Sequence, residues 1–461
     1  MLIDSHCHLS FKDYPPEELN NILTRAADNE VAYMINIGAG EGVFGNDDAL
    51  ALAKAHPQLF CTIGIHPHDA SKLNAEGFDH LKKLSLDEKV VAIGEIGLDY
   101  HYNETDTQDI QEKVLHQFIE HAQSINKPIM IHDRDAGFRT YDILREHNAK
   151  NVMIHCFTGN QELATKYLDA GYYLSFTGIV TFKKSSELRD VLKNTPIERM
   201  LIETDAPYLS PEPYRGKRNE PAYVKMVAQK VAEVKGLSFD DVARITTLNA
   251  KRFFKLPMPD LTTQVAYAIR DSLYLNITNR CTLACVFCPK FVDYEVKGYY
   301  LKLKKEPTVE EVLTACGDAT AYKEIVFCGF GESTRRLDAL LEIGKKLKDK
   351  YPDKKIRLNT DGLGSLVHER NILPELSTCI DSLSISLNAQ DAATYVRYCP
   401  SKYGEKAYDA VKDFIKIATQ YIPEVYATVV GAPGVDREAC RKIVEEECGA
   451  HFRFREYNVV G

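Results

Sequence analysis

Carboxylate and imidazole side chains recur at the ends of apolar segments in the first half of this 461-residue chain. The chain opens with MLIDSHCHL, and the alternate residues Asp4, His6 and His8 point to one side of an extended strand. Two carboxylates and four imidazoles suit divalent ions such as Zn, Mn or Mg. This set of six metal-ligand candidates consists of His6, His8, Glu95, His132, His155 and Asp205.

This donor set predicts hydrolysis. One carboxylate shared by two ions can hold them about 3.5 to 4 Å apart, and such a pair lowers the pKa of a bridging water for attack at phosphorus or at a carbonyl. A single His or Asp at a strand end is commonly a hydrogen-bonded structural residue. Six ionisable groups on five strands are different, because burying them without a counter-ion is very costly.

A second donor set lies in NRCTLACVFCPK, residues 279–290, where Cys281, Cys285 and Cys288 are spaced four and three apart. Structural zinc would require four ligands, usually from two paired elements, and neither a second C-x2-C nor a nearby His supplies the fourth. Three thiolates suit an iron–sulfur cubane with one iron left open. The open iron can bind a small molecule.

Eight apolar segments alternate with amphipathic ones before residue 258, as in repeated βα units. Eight such units in about 250 residues match a (β/α)8 barrel, whose strand ends converge on one catalytic face. The predicted ligands lie at those ends. The segments are LIDSHCHL, VAYMINIGAG, LFCTIGIHPH, VVAIGEIGLDY, PIMIHDRDA, NVMIHCFTG, YYLSFTGIV and MLIETDAPYL.

The alternation restarts after KLPMPDLTTQ, which is the predicted linker. Six strands in about 200 residues are too few for a full barrel, so we expect an open or partial (β/α)6 barrel. We expect a hydrolase domain at 1–258, a linker at 259–266 and a second domain at 267–461, and the whole chain to be of the α/β class. The six segments are SLYLNITN, EIVFCGFGE, KIRLNTDG, SLSISLN, VYATVVGAPG and FRFREYNVVG.

Composition narrows the classes of function. A 44% apolar and 27% charged chain without a run of about 20 apolar residues, or a secretory signal, predicts a cytoplasmic protein that does not enter membranes. In that reducing compartment, twelve cysteines favour metal ligation or burial over disulfides. A formal charge of −9 argues against a general polyanion binder, so metal ions or a small basic patch would have to hold any nucleic acid.

The segments DSHCHL, GIHPHDA, GEIGLDY, HDRDA, HCFTG, ETDAPYL and RGKRNEP resemble, in this order, the TatD metal-dependent nucleases and hydrolases of the amidohydrolase superfamily. The resemblance spans residues 1 to about 258. It implies catalysis by Glu95 and Asp205, with Asp205 moving the proton, and contacts from His66 and Arg134 to substrate phosphate. It also implies single-stranded DNA or RNA ends as substrate. The implied ligands are His6, His8, Glu95 and Asp205 for one metal, and Glu95, His132 and His155 for the other.

The CxxxCxxC spacing resembles the radical SAM superfamily. There the open iron of a [4Fe-4S] cluster chelates S-adenosylmethionine (SAM), and an electron from a donor such as flavodoxin or ferredoxin yields a 5′-deoxyadenosyl radical. Residues 267–461 resemble the radical SAM proteins associated with TatD hydrolases. The resemblance and the strand-end positions implicate the following residues in SAM binding: Gly329, Gly331, Glu332, Asn359, Ser386, Asn388 and Gly431.

Three hypotheses follow. The first is a bifunctional enzyme, a two-metal phosphodiesterase joined to a SAM-cleaving enzyme whose target is open. The second keeps the radical site but assigns the barrel to small phosphate esters or acyl-linked metabolites, because its composition is acidic. The third makes the cluster a non-catalytic sensor or docking module. Cys399 follows no ligand spacing, although a radical enzyme can use a lone thiol as hydrogen donor.

Overall fold

The computed structural model describes residues 1–10, 14–101, 105–256, 263–291 and 294–457. The chain divides into two compact units, residues 1–258 and 259–461. Each unit has a hydrophobic core of its own, and each is described separately below.

The first unit is a barrel of parallel strands arranged in chain order. All eight predicted segments form strands, so the (β/α)8 prediction is confirmed. In the described part of this unit the strands are β1 (Leu2–Cys7), β2 (Val31–Ile37), β3 (Leu59–Ile63), β4 (Val90–Asp99), β5 (Ile129–Arg134), β6 (Val152–Ile154), β7 (Tyr173–Phe176) and β8 (Met200–Ile202).

Helices cover the outside of this barrel. Each presents an apolar face to the strands, as α7 does with Leu188, Val191 and Leu192 at helical spacing. They are α1 (Pro16–Asp28), α2 (Gly45–Ala55), α3 (Ala75–Leu84), α4 (Thr105–Ser124), α5 (Arg139–Glu146), α6 (Gln161–Asp169), α7 (Ser186–Asn194), α8 (Val224–Lys235) and α9 (Phe239–Phe254).

The first and last strands of the barrel meet through their carboxyl ends. Cys7 and Ala206 form a parallel bridge, and the backbone N–H of Asp205 donates to the carbonyl of His6 over 2.9 Å. The buried Asp4 carboxylate accepts from the backbone N–H of Thr204 at 2.9 Å and from its hydroxyl at 2.5 Å. These contacts close the barrel at the end where the predicted ligands lie.

The second unit contains an open sheet in the order β17-β16-β15-β14-β13-β10-β9. Six of its strands are parallel and correspond to the six predicted segments, so the partial barrel is also confirmed. The edge strand β9, antiparallel to β10, was not predicted. Over residues 263–291 and 294–457 the strands are β9 (Ala266–Ile269), β10 (Ser272–Leu275), β11 (Glu295–Val296), β12 (Tyr299–Tyr300), β13 (Glu324–Phe327), β14 (Lys355–Thr360), β15 (Ser382–Ser386), β16 (Glu424–Val430) and β17 (His451–Arg455).

Helices connect the parallel strands of this sheet. The first of them begins at a capping box, in which the Thr308 hydroxyl and the Glu311 carboxylate each accept from the other's backbone N–H. The helices are α10 (Val309–Cys316), α11 (Leu337–Lys350), α12 (Gly364–Val367), α13 (Leu373–Leu376), α14 (Ala392–Tyr398), α15 (Lys406–Ala418) and α16 (Arg437–Lys442).

The predicted linker, 259–266, is only partly described. Residues 259–262 lie outside the described residues, whereas Thr263 donates its hydroxyl to the Lys302 carbonyl and Gln264 donates its N–H to Tyr300. Strand β9 then begins at Ala266. The described end of the predicted linker therefore packs as part of the second unit.

Among the helices that the structure describes, not one combines the length and the apolar character needed to cross a lipid bilayer.

Candidate functional site

The structure brings the predicted ligands of the barrel together at the carboxyl ends of its strands. The Nε2 atoms of His6 and His8 are 3.2 Å apart. Asp205 Oδ1 lies 3.3 and 3.5 Å from these two nitrogens, and Glu95 Oε2 lies 3.6 and 3.9 Å from them. Four donors at these separations fit a tetrahedron around one ion, whose edges are about 3.4 Å for ligand distances near 2.1 Å.

The other oxygen of Glu95 faces a second group of donors. Glu95 Oε1 lies 2.6 Å from His132 Nδ1 and 2.8 Å from His155 Nε2, and the two nitrogens are 3.3 Å apart. His66 Nε2 lies 3.8 Å from the same oxygen, and the ligand atoms of His66, Glu95 and His132 are close enough together to hold one ion. Each oxygen of one carboxylate thus serves its own donor group, as expected of a ligand that bridges two ions.

Glycine 97 allows strands β4 and β5 to approach closely beside this carboxylate. A β-carbon at Gly97 would lie 2.0 Å from the carbonyl oxygen of His132, and the backbone φ there is +147°. A larger residue would force the two strands apart. The segment GEIGLDY therefore supplies both the shared carboxylate and the glycine that lets a histidine reach it.

Sequence reasoning missed Glu203, which is fully buried. Its Oε1 lies 3.2 Å from His155 Nδ1 and accepts from the backbone N–H of Cys156 at 2.7 Å. Its Oε2 accepts from the hydroxyl of Ser175 at 2.6 Å. A carboxylate on the ring nitrogen opposite the ligand nitrogen fixes the tautomer and the direction of the imidazole. The available signal was the spacing of two from Asp205, which puts both carboxylates on one side of the chain.

Asp99 holds the other histidine of the second group and was also missed. Its Oδ2 lies 3.1 Å from His132 Nε2 and 2.9 Å from His68 Nε2. The carboxylate is almost inaccessible, and Asp99 follows Glu95 by four residues on β4. That even spacing on a strand was the signal, since it places both carboxylates on the same face.

The charges in this cluster stabilise one another. Burial opposes the charged form of His155, but the Glu95 and Glu203 carboxylates raise its pKa well above the usual value. Burial would raise the pKa of Glu95, yet the surrounding histidines, His155 first, hold it well below its usual range. The pKa of Asp205 is likewise lowered by the two adjacent histidines against the effect of burial. Both carboxylates are therefore ionised, as metal ligands must be.

The donor groups lie in an open cavity of about 600 Å³, and both predicted phosphate contacts, His66 and Arg134, line it. Burial, opposed by Glu95 and reinforced by neighbouring histidines, lowers the pKa of His66 to about 4. Its imidazole is thus neutral at neutral pH and can act as a ligand or a hydrogen-bond partner. The contact of each residue with phosphate stays a prediction.

Basic residues lie on the loops that follow β7 and β8, at the carboxyl end of the barrel strands. The loops after β7 and β8 are tied by a hydrogen bond from the Glu212 backbone to the Thr181 hydroxyl, and the Arg215 guanidinium stacks 4.2 Å from the centre of the Phe182 ring. Five cations on these loops are exposed; Arg218 is one of them, and we call the other four the basic rim: Lys183, Lys184, Arg215 and Lys217.

In the second unit, the three predicted cluster ligands follow β10 in one partly exposed loop. The backbone N–H of Cys288 donates to the Cys285 carbonyl over 3.0 Å. Burial and the nearby carboxylates of Asp361 and Glu332 raise the pKa of the Cys281 thiol to about 12. Buried polar atoms without a partner, Thr282 Oγ1 and Asp361 Oδ2, belong to the same neighbourhood. The donor chemistry and these orphaned atoms fit an iron–sulfur cluster with a polar ligand.

The GFGEST segment packs directly on the cysteine loop. A β-carbon on Gly329 would lie 2.2 Å from the side-chain oxygen of Asn276, and one on Gly331 would lie 2.1 Å from the Thr278 carbonyl. The Glu332 backbone N–H donates to the Arg280 carbonyl over 2.8 Å. The glycines are therefore required for this close approach, whether or not SAM contacts them.

The carboxylate of Glu332 is buried and already accepts hydrogen bonds within the protein. Oε1 accepts from the N–H and the hydroxyl of Thr334 and from the hydroxyl of Thr360, and Oε2 accepts from the N–H of Asp361 at 2.7 Å. Burial and the charge of Glu332 raise the pKa of Asp361 well above its usual range. Glu332 thus joins the ends of β13 and β14, and its contact with SAM stays a prediction.

The other predicted SAM contacts all lie at carboxyl ends of strands. Asn359, near the end of β14, accepts from Arg357 Nη1 at 2.6 Å, and Ser386 is the last residue of β15. Asn388 donates to the Cys399 sulfur over 3.5 Å. The Phe454 ring occupies the space where Gly431 would carry a β-carbon. Packing accounts for Gly431 by itself, while the SAM contacts of all four residues stay predictions.

A (β/α)8 barrel with clustered imidazoles and carboxylates at its strand ends defines a metal-dependent hydrolase of the TIM-barrel class. The family model for TatD-related DNases matches residues 3–255, and the model for the radical SAM superfamily matches residues 275–446. The chain belongs to the TatD-related DNase family and carries a radical SAM domain in its second half. Both resemblances drawn from the sequence are confirmed.

Relatives of known sequence match the barrel. The uncharacterized metal-dependent hydrolase YabD of Bacillus subtilis is 42% identical over 258 residues, which are 56% of this chain and 100% of YabD. The uncharacterized metal-dependent hydrolase YcfH of Escherichia coli is 38% identical over 260 residues, 55% of this chain and 96% of YcfH. The crystal structure of YjjV, a TatD homolog from Escherichia coli, has a TM-score of 0.52 and 28% identity over 56% of this chain and 98% of YjjV.

Proposed function

We propose that the chain is a bifunctional enzyme: a two-metal phosphodiesterase that acts on single-stranded nucleic-acid ends, joined to a radical SAM enzyme that cleaves SAM. The observation that carries the hydrolase half is the Glu95 carboxylate, whose two oxygens face separate donor groups. Residues 1–258 would form the hydrolase, 267–461 the radical domain, and 259–266 the linker.

The chain's own residues would hold and orient two divalent ions. His6, His8, Asp205 and Glu95 form one site, and Glu95, His132 and His155 form the other. When bound, the ions would supply Lewis acidity at phosphorus and a water of lowered pKa. Asp205, partly open to the cavity and kept ionised, would take the proton of that water.

Nucleic acid, rather than a small ester, is favoured by the mouth of the cavity. The basic rim offers exposed cations on two adjacent loops at one side of a chain that is otherwise acidic. Tyr208 lines the cavity with 60% of its surface exposed, and Phe44 is 83% exposed between the lining residues Glu41 and Gly45. Cations that follow a phosphate backbone and aromatic rings that stack on bases are the usual means of binding a single strand.

The hydrolase half is tested with an end-labelled single-stranded oligonucleotide and with bis(p-nitrophenyl) phosphate, each with Mn or Mg. We expect metal-dependent shortening by the wild type and none by Glu95→Ala. Reversing two rim charges, Lys183→Glu with Lys184→Glu, should weaken oligonucleotide binding and reduce its salt slope by about 0.7 per lost phosphate contact. It should leave hydrolysis of the small ester unchanged.

The matched control is Lys150→Glu, an exposed lysine in the loop before β6, at the opposite end of the strands. It should leave both activities unaffected. Efficient hydrolysis of the small ester without any shortening of the oligonucleotide would instead support the second hypothesis, a hydrolase for small phosphate esters or acyl-linked metabolites. The acidic residues Glu41, Asp48 and Asp69 that line the cavity motivate this second candidate.

For the radical half, Cys281, Cys285 and Cys288 would hold a [4Fe-4S] cluster. When bound, the cluster and SAM would supply the electron and the 5′-deoxyadenosyl group of radical chemistry. Glu332 and the two glycines of GFGEST would keep the adjoining loop against the cysteines. A flavodoxin or ferredoxin would deliver the electron.

Anaerobic reconstitution followed by dithionite should give 5′-deoxyadenosine from SAM with the wild type and none with Cys281→Ala. A fully loaded cluster that neither binds nor cleaves SAM would support a sensor or docking role for this domain. Zinc bound by four thiolates in protein purified without oxygen would exclude the radical half.

A further inference from the structure

The structure places a fourth cysteine opposite the cysteine loop of the radical SAM domain. Two backbone hydrogen bonds join this loop to the segment 398–400: the Ala284 N–H donates to the Pro400 carbonyl over 2.9 Å, and the Val286 N–H donates to the Tyr398 carbonyl over 3.0 Å. These bonds bracket Cys285 on one segment and Cys399 on the other. The two residues therefore face each other, 114 positions apart in the sequence.

The Cys399 thiol is enclosed and its surroundings define its orientation. Cys399 is 1% exposed and ends helix α14, where its N–H donates to the Tyr395 carbonyl over 2.7 Å. The Asn388 side-chain amide donates to the Cys399 sulfur over 3.5 Å. On the other side, the thiol faces Cys285 across the two backbone hydrogen bonds. Because the Cys399 sulfur accepts from Asn388, its own proton can be donated to a Cys285 sulfur that is ionised, as a cluster ligand must be.

Unpartnered polar atoms show that this neighbourhood is built to receive a polar group. The Tyr395 hydroxyl is fully buried without a hydrogen-bond partner, and Cys399 and Cys285 are among the groups that act on it electrostatically. Thr282 Oγ1 and Asp361 Oδ2 are also buried without partners. Leaving such atoms unsatisfied is costly, so their presence around the cysteines indicates a ligand there.

We propose that Cys399 is a positioning residue of the iron–sulfur site: its S–H group donates a hydrogen bond to the Cys285 sulfur and raises the reduction potential of the cluster. The inference rests on the proposed function of the radical domain. A hydrogen bond to a ligand sulfur stabilises the reduced cluster, which carries the extra negative charge. The same contact explains why Cys399 is enclosed rather than directed to a substrate.

The test is a potentiometric titration of the reconstituted full-length protein, followed by electron paramagnetic resonance without oxygen or SAM. Cys399→Ala removes the donor and should reduce the equilibrium constant for reduction about tenfold, because about this much free energy is lost with one hydrogen bond to a charged acceptor. For a one-electron couple this is a shift of 59 mV to more negative potential. Cys399→Ser keeps a donor and should stay at or above the wild-type potential.

The matched control is Cys440→Ala, which removes another fully buried thiol, on helix α16 of the same domain, and should leave the potential unchanged. An unshifted potential in Cys399→Ala, or a serine variant as low as the alanine variant, overturns the role of Cys399 but leaves SAM cleavage by the wild type standing. If the alanine variant does not assemble a cluster, the serine variant alone decides. A wild-type protein that forms no cluster refutes the proposed function itself.

Discussion

Replacing Glu203 by Gln should weaken the hydrolase site without unfolding the barrel. Glutamine has nearly the same shape, and its side-chain oxygen can still accept from the Cys156 backbone N–H, while its amide can donate to the Ser175 hydroxyl. The change removes the negative charge that faces His155 Nδ1 at 3.2 Å. The imidazole is then a weaker ligand, although the amide oxygen can still accept from Nδ1–H and so keep the tautomer.

The expected magnitude follows from that contact. Loss of a carboxylate behind a ligating histidine typically costs 10-fold to 100-fold in metal affinity or activity, or about 1.4 to 2.7 kcal/mol. We expect this loss at the metal held by Glu95, His132 and His155. The other site, which includes His6 and His8, should keep its affinity.

The assay combines calorimetric titration of the metal-free protein with Mn and measurement of kcat/KM for bis(p-nitrophenyl) phosphate. Far-ultraviolet circular dichroism and the unfolding midpoint report whether the barrel remains folded. Glu233→Gln, a neutralised and largely exposed carboxylate on α8, is the matched control and should behave as wild type. A Glu203→Gln enzyme that folds normally and retains wild-type affinity and kcat/KM would refute the reasoning.

Three further predictions concern stability. In the metal-free protein, burial lowers the pKa of His66 in the folded state to about 4, below its ordinary value of 6.5. Protonation therefore favours the unfolded chain, and the free energy of unfolding decreases as the pH is lowered from about 6.5 towards 4. His66→Gln should reduce the loss of unfolding free energy between pH 7 and pH 5 by about 2 kcal/mol, measured by denaturant titration; an unchanged slope would contradict this. Gly97→Ala should destabilise the barrel by more than about 2 kcal/mol, because its β-carbon would collide with the His132 carbonyl, and a wild-type midpoint would exclude that clash. Glu332→Gln should destabilise the second unit by about 1 to 3 kcal/mol, because the amide replaces one of the two oxygens that accept hydrogen bonds. Asp361→Asn should cost less, because burial and the charge of Glu332 already disfavour the charged form of Asp361; the reverse order in thermal unfolding would contradict this.

The local sequence pattern was sufficient to predict the strands and the functional residues at their ends. Each strand of the barrel is a short apolar run; the ligand His132 follows as the first polar group at the end of its run, and Asp205 follows within three residues of its own. Because the carboxyl ends of parallel strands meet on one face, the convergence of these residues could be inferred before any distance was known. The glycines of GFGEST were identified in the same way, although their packing on Asn276 and Thr278 was not.

The residues that sequence analysis missed depend on contacts between distant segments. The roles of Glu203 and Asp99 are defined by the histidines they contact, 48 and 33 positions away, and spacing from a predicted ligand was their one local signal. Cys399 belongs to no spacing motif, and its relation to Cys285 exists because two loops form backbone hydrogen bonds. Strand β9 begins at the last residue of the predicted linker and continues into the predicted second domain, and its short alternation was not recognised as a strand. Spacing motifs detect residues that are close in the sequence, whereas these partners become close only when the chain folds.

The joining of β1 to β8 has a consequence for how the protein is made. His6 and His8 leave the ribosome about 200 residues before Asp205, their partner, and before Thr204, which holds Asp4. Until then the opening strand has one unsatisfied edge, and the site formed by His6, His8, Glu95 and Asp205 lacks one of its donors. A nascent chain that stalls before Asp205 should therefore lack the first metal site, so the complete two-metal hydrolase centre cannot arise on an unfinished polypeptide.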